Sequence, residues 1–177
     1  NAVVTNAVAD TLVLDETRPV GTEEDGDSSP AGLQTVTANF ADNFAAVIDY
    51  GSDGPGTTSY SLVLTGANVA SGLFALGVNG AAGASIVLNQ AGPGADILGS
   101  VGAVEYFRIS INPATGVVTF SQSLNVWHAN TGSDDDTSTL ALANAADLQV
   151  VQTVTDADGD TDSAGINLGT GVFQIED

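Results

Sequence analysis

The chain has 177 residues, with 22 acids against two arginines, no lysine and a formal net charge of -20. Such a charge repels phosphate backbones and anionic membrane surfaces, which argues against nucleic acid as a partner and against membrane insertion. A hydrophobic content of 43% argues equally against a disordered acidic tail, and the absence of cysteine means that disulfides do not hold the fold.

The length suits a single domain over 1–177 with a real core. No apolar run approaches the roughly 18 residues of a spanning helix. Absence of lysine, cysteine and methionine suits a secreted, oxidation-tolerant protein stiffened by metal. No basic signal region opens the chain, which reads as an internal piece of a longer protein. The acids are unevenly placed: ten lie in Asp10–Asp53, ten in Asp134–Asp177, and only Asp96 and Glu105 between. The two outer thirds are therefore expected to meet and to share cations, the alternative being two sets of solvated loops.

Residues 1–9 read as a linker or a first edge strand. Thr11–Leu14 is a short strand running into Asp15 and Glu16. Thr17–Gly32 is a long loop of Pro, Gly, Ser and acids without periodicity. Leu33–Phe40 alternates and predicts a strand; Asp42–Asp49 fits either a helical turn or a strand. Tyr50-Gly51-Ser52-Asp53-Gly54-Pro55-Gly56 is turn chemistry throughout. Ser59–Thr65 and Leu73–Val78 are strands, and Asn79-Gly80 is a hairpin turn leading into a return strand at Ser85–Leu88. The segment Ala91–Gly99 nearly fits the calcium β-roll nonapeptide, but one copy cannot stack, and it is read as a loop. Glu105–Ile111 and Val117–Gln122 flank Asn112–Gly116 as a hairpin, with Phe107, Ile109 and Ile111 on one face. Leu124–Trp127 follows, then a polar loop from Asn130 to Ser138 that carries Asp134, Asp135 and Asp136. Leu140–Leu148 is alanine-rich and ambiguous, and Val172–Ile175 is a last strand. Many short strands, frequent turn signals and no amphipathic helix predict an all-β fold. We expect a β-sandwich of mostly antiparallel strands with long acidic loops, a closed barrel being the alternative.

The most informative stretch is Asp156-Ala157-Asp158-Gly159-Asp160-Thr161-Asp162. Strand-like flanks, Leu148–Thr155 and Ser163–Leu168, put it at a hairpin tip. In an extended chain its four carboxylates would share one face and repel. A turn at Gly159 would instead wrap them around a common point, as Ca2+ prefers with its six to eight oxygens. The spacing is not that of an EF-hand loop, since Gly is fourth and Asn167 stands twelfth. Asp156, Asp158, Asp160 and Asp162 are the leading metal ligands, with Asp15, Glu16, Asp134, Asp135 and Asp136 in second place; the alternative is a solvated acidic turn. The chain reads as no enzyme: the single histidine, His128, lacks a Gly-x-Ser-x-Gly elbow or a zinc ligand set. Tyr50, Trp127 and His128 are candidate ligand-binding residues, core packing being the other reading of the aromatics.

Leu14–Glu16, Tyr50–Gly56 with Tyr60–Leu62, Phe107–Thr119, Trp127-His128 with the following Asp run, and Asp156–Asp160 occur in that order. Together they resemble repeat domains of giant RTX-type adhesins, which Gram-negative bacteria export by type I secretion. The resemblance implies an extracellular, cell-surface module binding several Ca2+ ions in a long fibre for adhesion or biofilm formation, next to other domains of the same chain. Some such modules resemble calcium-dependent peptide-binding domains, in which the ion helps to hold a ligand's terminal carboxylate. A calcium-dependent peptide- or protein-binding domain is thus the expected function, and a calcium-rigidified spacer the alternative. A glycan is the less favoured ligand.

Overall fold

The computed structural model describes residues 1–16, 35–130, 133 and 136–176. The Thr17–Gly32 loop and the candidate ligands Asp134 and Asp135 lie outside the described residues.

The fold is all-β. Its strands are β1 (Leu12–Asp15), β2 (Thr35–Asn39), β3 (Thr57–Leu64), β4 (Val69–Leu76), β5 (Ala82–Gln90), β6 (Ile97–Val101), β7 (Val104–Ile111), β8 (Val117–Gln122), β9 (Thr137–Ala141), β10 (Leu148–Thr155), β11 (Thr161–Asn167) and β12 (Thr170–Glu176). They form a six-stranded sheet, β2-β8-β7-β6-β5-β4, and two three-stranded sheets, β1-β12-β9 and β11-β10-β3. The sheets are open rather than one closed ring. All three contribute side chains to one buried cluster, which gives the molecule its sandwich-like character. Phe120 on β8 is the hinge of that interior. Its ring meets Phe107 of its own sheet edge-on at 5.6 Å and Phe173 of β12, from another sheet, at 5.2 Å.

Alternation explains most of the strands. Along β10 every second residue from Leu148 points inward, with the others half exposed. The β7–β8 hairpin closes over a turn in which the Asn112 side chain accepts from Ala114 N–H at 3.0 Å and its carbonyl accepts from Gly116 N–H at 2.9 Å. The β4–β5 turn is made at Asn79 and Gly80, both with positive φ. Asp42–Asp49 resolves into a 3-10 turn at Ala41–Asn43 and irregular chain. The loop reading of Ala91–Gly99 holds only as far as Asp96, because Ile97-Leu98-Gly99 opens β6. There glycine is needed for packing: a Cβ on Gly99 would lie 2.3 Å from Cζ of Phe107. Leu124–Trp127 is not a ladder strand; Val126 makes a single bridge to Ala75.

The two ends of the chain meet as expected. β1 pairs in parallel with β12, Leu12 beside Phe173 through Asp15 beside Glu176. Among the described residues, the two acids in the middle of the chain pair with Arg108. Arg108 holds Asp96 at 2.9 Å through Nη1 and Glu105 at 2.8 Å through Nη2. Those two carboxylates, Glu105 first, hold the guanidinium in its charged form well above its ordinary range.

Truncating the ring that joins two sheets leaves a cavity in the shared interior. Phe120→Ala is expected to destabilise the domain by about 3–5 kcal/mol, read as a lower denaturant midpoint.

Candidate metal centre

The Asp156–Asp162 segment forms the β10–β11 hairpin tip. Asp156 organises it: its Oδ1 accepts from Gly159 N–H at 3.1 Å and from Asp160 N–H at 2.8 Å. Its own N–H donates to the Asp160 carbonyl at 3.0 Å. Gly159, at φ +101, makes the reversal.

A second loop docks on this tip. Tyr50–Gly56 comes alongside, and Ala157 N–H donates to the Gly54 carbonyl at 3.3 Å. The approach is close enough to require glycine at position 56, where a Cβ would sit 2.1 Å from the Thr155 carbonyl oxygen. The result is a carboxylate triplet. Asp53, Asp156 and Asp158 each present a ligand oxygen, all within 4.8 Å of one another. Asp156 is half-buried, and Asp53 and Asp158 are exposed.

Three like charges at that spacing repel. Asp156 and Asp158 stand side by side and feel each other's charge. The hydrogen bond between them holds Asp156 below its ordinary value and pushes Asp158 above it, and the negative charge of Asp156 adds to the second shift. A cation held among the three would offset that repulsion. The donor set is all oxygen, which suits hard Ca2+ or Mg2+ rather than a soft metal. With one oxygen from each, three carboxylates would leave part of the six to eight positions of Ca2+ to second oxygens, carbonyls, water or a ligand.

A cleft of about 190 Å3 opens beside the triplet, walled by Asp49, Tyr50, Val154, Asp156, Asp160 and Asp162, among others. Asp156 belongs to both features. Of the four leading candidate ligands, Asp156 and Asp158 join the triplet, whereas Asp160 and Asp162 line the cleft. Asp53 was overlooked in the sequence because its only local signal was turn chemistry carrying an acid.

The second-rank candidates gather elsewhere. Asp15 lies in register with Glu176, and Glu176 with Thr137, next to Asp136. The Asp136 carboxylate accepts from Asn130 N–H at 2.7 Å. Glu16 is buried at 2% exposure and acts structurally. Its Oε1 accepts from Val126 N–H at 2.9 Å and from Gln122 Nε2, and its Oε2 stands 3.8 Å from Nε2 of buried His128. The His128 Nδ1 pairs with Ser138 Oγ at 3.2 Å. The predicted ligand-binding trio is therefore divided. Tyr50 lines the cleft, with its hydroxyl 3.3 Å from Thr58 Oγ1. Trp127 packs edge-on against Phe74 at 6.2 Å and donates from Nε1 to the Gly80 carbonyl at 3.1 Å. Neither Trp127 nor His128 lines the cleft.

The model of a family described as "Domain of unknown function (DUF5801)" matches residues 11–169. The chain belongs to that family. The match spans from β1 to the end of β11, so the DUF5801 region includes both loops of the carboxylate triplet. Comparison with curated proteins gave no match, and comparison with solved structures gave none.

The burial of Glu16 carries an expectation of its own. Glu16→Ala strands the Val126 N–H in the interior and should cost about 1–3 kcal/mol in chemical denaturation. Asp15→Ala, at an exposed position one residue away, should cost under about 1 kcal/mol.

Proposed function

We propose that this DUF5801 domain is a calcium-binding extracellular module. In this reading one Ca2+ is held by Asp53, Asp156 and Asp158 and clamps the Tyr50–Gly56 loop to the β10–β11 tip. The observation that carries the reading is the convergence of three carboxylates from two loops far apart in the chain. The hydrogen bond from Ala157 to Gly54 and the close approach at Gly56 support it, since they bring the loops together against charge repulsion. The acidic end at Asp15, Asp136 and Glu176 is the candidate for a further ion.

The module's role in this proposal is attachment, as a ligand-binding domain of an RTX-type adhesin on a Gram-negative surface. The sharing of Asp156 between triplet and cleft favours ligand binding over a spacer. A ligand carboxylate entering the cleft could take a position on the ion otherwise filled by water, a charge-assisted contact beside the Tyr50 ring. A peptide with a free C-terminus fits that chemistry. A general polyanion does not, because the surrounding surface is acidic.

Two measurements test the proposal. A ligand bound only by the native state stabilises it by about 4 kcal/mol at 1,000 times its Kd. For a domain of this size that corresponds to roughly 8–16 °C in Tm. EDTA should therefore lower Tm by about that much, with recovery in Ca2+ and poor recovery in Mg2+. Asp53→Asn should weaken Ca2+ binding by about tenfold or more, a loss of at least about 1.4 kcal/mol, while Asp96→Asn leaves it unchanged. Equal melting curves with and without Ca2+ would sink the metal assignment.

The second measurement screens immobilised peptides with free and amidated C-termini, with and without Ca2+. Retention should need both the free carboxylate and the ion. Binding indifferent to amidation and to EDTA alike would remove the terminal-carboxylate mechanism, and absence of binding to peptides, glycans and cells would favour the spacer.

A further inference from the structure

The sheets treat their edges differently. β4 ends the six-stranded sheet, and its outer side is covered: Val126 bridges Ala75, and Trp127 N–H donates to the Phe74 carbonyl at 2.8 Å. β3 ends its own sheet and is also occupied. Its Tyr60 N–H donates to the Pro113 carbonyl at 2.9 Å. Gln90 accepts from Leu64 N–H at 3.1 Å and donates to the Leu62 carbonyl at 2.8 Å.

β11, by contrast, is an edge left open among the described residues. It pairs with β10 on one side in unbroken register, from Gln149 beside Asn167 to Thr155 beside Thr161. Among the described residues, none pairs with its other side. Seven residues is long for an unprotected edge, and natural sheets usually blunt such edges with proline, lysine, a bulge or a cover. β11 has none of the first three.

Its side chains also suit a neighbour. Asp162, Ala164 and Ile166 lie opposite inward-facing Val154, Gln152 and Val150, so they share the core face. On the other face is Gly165, whose glycine the fold itself does not require. A Cβ there would make ordinary contact, 3.5 Å from the Gln149 side chain, and its φ is not in the positive range. Glycine inside a strand often marks the place where another backbone comes close.

We propose that β11 is a strand-addition site and that its occupant is an extended polypeptide segment bearing lysine or arginine. The charge requirement comes from Asp162. It is exposed on the core face at the start of the strand and accepts from Ala2 N–H at 2.9 Å through Oδ2. It lies in the same cleft wall as Asp49, Asp156 and Asp160. An inward-facing charge repels a neutral or acidic strand, and a second copy of this -20 chain above all. A basic side chain opposite Asp162 turns that barrier into attraction and enters the cleft beside Tyr50. Main-chain hydrogen bonds supply the affinity and the cleft supplies the selectivity. The site does not depend on the metal, so it stands or falls separately from the calcium reading.

The probe is a heptapeptide, Thr-Val-Lys-Val-Thr-Val-Thr, acetylated and amidated so that no terminal carboxylate can reach an ion. Its partner probe carries Glu in place of Lys. Amide hydrogen exchange is followed over Thr161–Asn167. In free protein the outward-facing amides of β11 should exchange at least tenfold faster than those bonded to β10. The Lys peptide should slow them and the Glu peptide should not. Asp162→Asn should weaken the Lys peptide roughly three- to fivefold, the range of a cross-strand charge pair. Asp162→Lys should reverse the preference in favour of the Glu peptide. Asp158→Asn, which damages the proposed calcium centre, should leave the peptide's effect intact. Outward amides already protected in free protein would show that the edge is covered, and the proposal fails. It fails equally if the Lys peptide leaves them unprotected at millimolar concentration, or if the charge swap does not change the preference.

Discussion

Repulsion between carboxylates is the constraint on which the rest of this molecule is arranged. Arg108 answers it once, for Asp96 and Glu105, in the middle of the chain. The outer thirds carry most of the acids, and the fold brings those thirds together: β1 lies beside β12, and the Tyr50–Gly56 loop lies against the β10–β11 tip. A chain selected only for stability would keep such groups apart. Here a glycine at position 56 is required for the close approach that makes the crowding worse. Asp156 and Asp158 sit close enough to shift each other, Asp156 below its ordinary value and Asp158 above it.

The interior is built of apolar side chains. One continuous cluster draws on all three sheets, with Phe120 touching rings on β7 and β12. Within it, buried Glu16 accepts from Val126 N–H and from Gln122 Nε2. The acids that could bind ions sit at strand ends and tips around this core. Ion binding is thus expected to act on loop positions and on overall stability while the β framework stays the same.

Period-two alternation and turn residues made most of the fold legible in the sequence. β7, β8, β10, β11 and β12 and the turns at Asn79-Gly80 and Gly159 follow from local rules. What was not legible depends on distant packing. The strand β6 is short and opens with residues that look like a glycine loop until Phe107 claims the space above Gly99. Residues 124–127 carry no clear signal of their own and serve as a cover for the β4 edge. The site was half legible for the same reason. Asp156 and Asp158 are marked by spacing within one turn, whereas Asp53 joins them only because two loops dock. Glu16 is a candidate metal ligand and His128 a candidate ligand-binding residue by sequence, and burial makes them a structural pair.

The position of Asp162 shows how one acidic tip can serve two purposes. Side chains of an extended chain alternate between faces, yet Asp156 and Asp158 lie in the turn, where alternation does not apply, and turn toward Asp53. Asp162 is already in the ladder opposite Val154, and its side is fixed by strand register. The run of acids is thus cut in two by the point at which regular pairing begins. Carboxylates before that point can gather around an ion. The one after it must stand beside whatever comes next to β11, and it sets the charge that a neighbouring strand has to bring.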